Sequence, residues 1–172
     1  RMNAKLAFLI IVIAQSAGFI QRVPAQGSFG NLDFESATFI PIPGDPNGRV
    51  EFGPALPGWT GYVSGQPQVA IYPNFVPLGT PIPFISVLTP PSLGKVLQGS
   101  YTLAYGTSLD NVPVAVAQTG LVPADSQSLR FLATFIPPAV FMDGNYLPPV
   151  ALESRPLQTT LFGIDISAFA GR

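Results

Sequence analysis

The sequence predicts an all-β fold, a sandwich or barrel of short strands, preceded by an N-terminal signal-peptide helix. Two observations carry that expectation. Pro and Gly supply 20 and 17 of the 172 residues, which interrupts helices throughout the chain. From Gln26 onward, short apolar stretches alternate with clusters of Gly, Pro, Asn and Asp, the pattern of strands joined by turns. Hydrophobic residues make up 47% of the chain and charged residues 10%, so there is enough apolar surface to offset the entropy of ordering.

The first element is a leader. Arg1 and Lys5 give a basic start, residues 6–14 (LAFLIIVIA) are unbroken apolar, and Gln15 and Ser16 end the run. That run falls short of the roughly 20 apolar residues needed to cross a bilayer, and Val23-Pro24-Ala25 ends on the small residue a signal peptidase requires. Residues 1–25 are therefore expected to be a signal peptide read by export machinery and cleaved after Ala25. The protein is expected to be secreted or held at the cell surface, with residues 26–172 forming one sandwich domain.

Within that domain, Ile42-Pro43-Gly44-Asp45-Pro46-Asn47-Gly48 and residues 77–83 read as exposed, turn-dense loops. Phe84-Ile85-Ser86-Val87-Leu88 is strand-like, and Pro81 and Pro83 assign it to a sheet edge or place them at its entry. Tyr101, Leu103 and Tyr105 alternate onto one face, as do Leu129, Phe131, Ala133 and Phe135, marking core-facing strands. Val114, Val116 and Gln118 alternate with Ala115, Ala117 and Thr119, which predicts a strand covered on both sides and central in its sheet. Asp143-Gly144 predicts a hairpin between Ala139-Val140-Phe141 and Asn145-Tyr146-Leu147. A strand over 161–166 and one helical turn closed by Gly171 complete the series.

Composition also narrows function. The chain contains no His and no Cys, which removes the usual zinc ligands, Ser/His and Cys/His nucleophiles, disulfides and iron–sulfur cysteines. Once the leader takes Arg1, Lys5 and Arg22 with it, five cations (Arg49, Lys95, Arg130, Arg155 and Arg172) face nine acids. These cations are scattered singly and form no basic stripe, so nucleic acid is excluded as a partner. Asp33 and Glu35 would share one strand face, yet they sit in no hydrolase signature, and Val63-Ser64-Gly65 and Gly94-Lys95 lack the glycines of a nucleophile elbow or phosphate loop. The expectation is a protein that is not an enzyme.

Four segments carry a resemblance. Asn31-Leu32-Asp33-Phe34-Glu35 followed by Pro57-Gly58-Trp59, Gly99-Ser100-Tyr101-Thr102-Leu103, and Ala117-Gln118-Thr119-Gly120-Leu121-Val122-Pro123-Ala124 resemble, in this order, pieces of jelly-roll carbohydrate-binding modules of the galactose-binding-like superfamily. Together with Ser128-Leu129-Arg130-Phe131 and Gly163-Ile164-Asp165-Ile166-Ser167-Ala168, their order is similar to bacterial secreted proteins that carry a C-terminal PEP-CTERM sorting signal. That class continues with a further strand, a Pro-Glu-Pro motif, an apolar helix and an arginine cluster. None of these follows here, so either the chain is truncated at its C-terminus or it departs from the class.

The resemblance implies a jelly-roll-like antiparallel β-sandwich and a polysaccharide or extracellular-matrix partner. It also implies a structural calcium to which Glu35 contributes, a hard cation suited to carboxylate oxygens; no other cofactor is expected. For ligand binding, Trp59, Tyr62, Tyr72 and Tyr146 are the aromatic candidates, because sugar rings stack their C–H faces on exposed aromatics. For Trp59, bracketed by Pro57-Gly58 and followed by alternating Thr60 and Tyr62, packing into the sandwich interior is the favoured role. The competing functions are a structural or coat protein without a small ligand and an accessory domain of a glycoside-active enzyme.

Overall fold

The structure, a computed structural model, describes residues 29–77, 82–91, 96–107, 112–134 and 136–172. The expected leader, most of the loop at 77–83, Lys95 and Phe135 lie outside these residues. Among the described residues no helix is long and apolar enough to cross a membrane.

Among the described residues, twelve strands and two short helical turns follow one another. They are β1 (Val50–Glu51), α1 (Phe52–Ala55), β2 (Thr60–Val63), β3 (Gln66–Pro67), β4 (Ala70–Pro73), β5 (Phe84–Leu88), β6 (Thr102–Gly106), β7 (Val114–Ala117), β8 (Ser128–Thr134), β9 (Val140–Met142), β10 (Asn145–Leu147), β11 (Val150–Arg155), β12 (Thr159–Asp165) and a closing 3-10 turn, Ser167–Phe169. The sheets run β1-β4-β5-β6, β3-β2-β7 and β11-β12-β8, with β9-β10 as a separate hairpin. The all-β expectation is met. One pairing is parallel: β4 runs alongside β5 with Tyr72 opposite Ser86 and Pro73 opposite Val87.

All the sheets contribute to one core. Ile71 and Ile85 from the first sheet, Val114 and Val116 from the second, Ile164 from the third, and Val140 and Met142 from the hairpin join Phe52, Leu56 and Trp59 in a single buried cluster. The approach is close at β2, where a Cβ on Gly61 would come within 2.6 Å of Phe52 Cζ and 2.7 Å of Ile85 Cδ1. Only hydrogen fits there, so Gly61 sets how near β2 lies to α1 and β5. Tyr101, Leu103, Tyr105, Leu129 and Phe131 pack against the cluster from the faces their alternation predicted.

Two local expectations change, and one that left two alternatives is resolved. β7 is buried at all four residues but occupies an outer position in β3-β2-β7. Coverage by neighbouring layers, not pairing on both edges, explains its unbroken apolar pattern. β5 lies inside its sheet between β4 and β6, and Pro83 stands just before it, at the strand entry where a missing N–H interrupts no ladder. Asn31 to Glu35 is not strand: Asn31 (φ 50°) and Phe34 (φ 66°) adopt left-handed backbone and turn the chain, and the Asp33 carboxylate accepts the Glu35 N–H at 3.3 Å. The Asp143-Gly144 turn forms as read, with φ of 53° and 76° at its two central residues and Val140 to Met142 facing Leu147 to Asn145.

Candidate functional site

The segments that carry the resemblance meet in space. Of the two left-handed residues of the N-terminal turn, Asn31 and Phe34, only Asn31 has the short polar side chain that suits this backbone, and it supplies hydrogen bonds to the turn. Asn31 Oδ1 accepts the Ser36 N–H at 2.9 Å, and its Nδ2 donates to the Pro57 carbonyl at 3.4 Å. The Asn31 carbonyl accepts both the Phe34 N–H, at 3.3 Å, and the Trp59 indole N–H, at 3.0 Å. Phe34 leans on Trp59 with ring centroids 5.6 Å apart. The first segment therefore fixes the second.

Just upstream, Gly30 is held by Gln118. The Gly30 N–H donates to Gln118 Oε1 and Gln118 Nε2 donates to the Gly30 carbonyl, both at 2.8 Å, so one amide side chain replaces a neighbouring strand. Gln118 is buried, and this pairing satisfies both ends of its amide. Just downstream, Glu35 reaches the third segment. Its carboxylate accepts the Ser100 N–H at 3.0 Å and the Tyr101 N–H at 3.1 Å. Gly99, at φ 67°, makes room for it, because a Cβ there would collide with the carboxylate.

Each predicted site residue now has a place. Trp59 is 8% exposed and belongs to the core cluster, with its indole N–H turned inward. Only its rim borders a shallow, open depression of about 550 Å³ shared with Glu51, Thr60, Gln68 and Val69. Tyr62 lies half-buried in β2 opposite Ala115 and Pro67. Tyr72 stacks on Phe75 at 4.7 Å, and Phe75 in turn meets Phe84 edge-on at 5.8 Å. Tyr146 is 55% exposed on the β9-β10 hairpin and leans on Phe141 at 5.5 Å. No ring contact links any two of these four candidates among the described residues, so they form no shared platform. Glu35, the candidate calcium ligand, points at backbone N–H groups. Among the described residues no group of three or more His, Cys, Asp or Glu side chains could hold a metal ion.

The sequence reading left Gln118 and Asn31 without a role. Both are polar residues inside segments singled out in the sequence, and their roles come from backbone partners remote in the chain.

A second polar knot lies in the Ile42-to-Gly48 excursion. The Asp45 carboxylate accepts the Asn47 N–H at 2.9 Å and the Arg49 N–H at 3.2 Å, and pairs with the Arg49 guanidinium at 2.6 Å. Hydrogen bonding from the Arg49 side chain holds the Asp45 pKa down at about 2. Asp165 is also lowered, chiefly by the Ser167 hydroxyl. Both carboxylates serve as turn fasteners. No family model, curated protein or solved structure matches the chain.

Proposed function

We propose that this is an exported, non-catalytic β-sandwich of jelly-roll type that works at the cell surface or in the extracellular matrix as a scaffold. The observation that supports the reading is the use made of the polar residues in the segments that carry the resemblance. Asn31, Glu35 and Gln118 are spent on backbone groups and the Trp59 indole, so these segments hold the domain closed. Their order along the chain, similar to that of secreted PEP-CTERM proteins, and the basic-apolar start of the sequence supply the extracellular destination. A domain of this kind acts through the surfaces it presents.

Polysaccharide contact is the second reading, favoured by the depression beside Trp59, whose lining combines the polar residues Glu51, Thr60 and Gln68 with apolar Val69. Sugar recognition uses such a mixture, hydroxyls against polar groups and C–H faces against apolar ones.

Fractionation of cells expressing the full chain with a C-terminal tag tests the destination, and the tag is expected outside the cytoplasmic membrane with a shortened N-terminus. Retention in the cytoplasm with the leader intact would contradict it. A polysaccharide pull-down separates the two readings: retention that Gln68→Ala abolishes favours sugar contact, and no retention favours the scaffold alone. Hydrolysis of a glycan by the purified protein would overturn both.

A further inference from the structure

Strand β11 is an outer strand of β11-β12-β8, and all six of its residues are exposed. Val150 is 60% and Leu152 51% exposed. In an antiparallel ladder, alternate residues direct their N–H and C=O groups away from the neighbour, so such an edge offers a template for another strand. Proteins commonly blunt these edges with bulges, prolines or charges of one sign, which repel a second copy. Here the register shifts between Ala151 and Glu153, and Pro156 follows the strand. These confine the regular edge to Glu153, Ser154 and Arg155, which face Leu161, Thr160 and Thr159 without interruption.

The charges on that regular stretch have opposite sign. Glu153 and Arg155 sit two residues apart on one face of the sheet and pair at 3.2 Å while both remain exposed, at 57% and 40%. A twofold axis through Ser154 superimposes this pattern on its own complement. We propose that β11 is a homotypic docking edge, two copies pairing their β11 strands antiparallel about Ser154 so that Glu153 of each meets Arg155 of the other. An edge of two like charges would repel under the same operation, whereas this one gains two cross-strand ion pairs. The contact is short, so association is weak and rises with concentration. The inference extends the scaffold reading without resting on it, because it concerns the edge alone and is tested in solution.

Sedimentation equilibrium of the purified protein over a concentration series reads the outcome. The wild-type mass is expected to climb from the 18.2 kDa chain toward twice that value. E153R and R155E each stay monomeric at concentrations where the wild type associates, and an equimolar mixture of the two recovers a dimer, since an all-positive edge then meets an all-negative one. E153Q and R155Q form a second pair should a reversal fail to fold, each weakening association several-fold. A wild type that stays monomeric, a mixture that recovers nothing, or growth beyond a dimer through the other outer strand, β8, would overturn the proposal.

Discussion

The N-terminal clasp and the outer β11 edge use polar residues in opposite ways. In the clasp, Asn31, Glu35 and Gln118 turn their side chains to backbone groups more than twenty residues away in sequence. On the edge, Glu153 and Arg155 bond only to each other, two residues apart, and the apolar Val150 and Leu152 beside them face solvent. A bond that ties together stretches distant in sequence is costly to lose, because the chain it holds is released with it. An exposed local pair contributes little, since solvent replaces it. The bonds of the first region therefore tie distant segments to one another, and the exposed pair of the second region does not.

The largest break should come at Trp59. Trp59→Ala removes a buried ring and its bond to Asn31, and is expected to cost about 3–5 kcal/mol in chemical denaturation, against less than about 0.5 kcal/mol for Val150→Thr on the edge. Next, Gln118→Leu leaves the Gly30 N–H and carbonyl without their partner, a loss of about 2 kcal/mol. Its stability in urea relative to Glu153→Gln, expected to be near neutral, measures the contrast between polar groups directly. Glu35→Ala and Gly99→Ala should each cost about 1–2 kcal/mol, and because each disturbs the same contact, the double variant should fall short of the sum.

The smallest effect is that of pH on Asp45. Its pKa is depressed below the ordinary 3.8 to about 2, so its contribution to stability is fully present above that ordinary value and is lost as pH falls through about 2. Carboxylate NMR shifts should show Asp45 titrating near 2 in the wild type and closer to 3.8 in Arg49→Ala, with no stability change from this pair between pH 5 and 8.

Local alternation and turn chemistry made much of the fold legible. The face bearing Tyr101, Leu103 and Tyr105 and the Asp143-Gly144 hairpin depend on neighbours in sequence, and both were readable. The parallel β4–β5 pairing and the outer position of β7 depend on which strand arrives beside which, and residue patterns along a single strand do not encode that. The site was legible in part for the same reason. Trp59 announced its burial through Pro57-Gly58, but the roles of Gln118 and Glu35 come from partners 88 and 65 or 66 residues away. Glu35 illustrates the limit, since a carboxylate aimed at N–H groups and one aimed at calcium look alike in one dimension.

Trp59 is the only tryptophan in the chain, which makes its fluorescence an unmixed report on the clasp. The account predicts blue-shifted emission, little quenching by iodide, and no change on adding oligosaccharides, with Gln118→Leu shifting the emission red. Red-shifted wild-type emission that iodide quenches and a glycan protects would show an open indole face, and would contradict the claim that the bonds around Asn31, Glu35 and Gln118 hold Trp59 in the core.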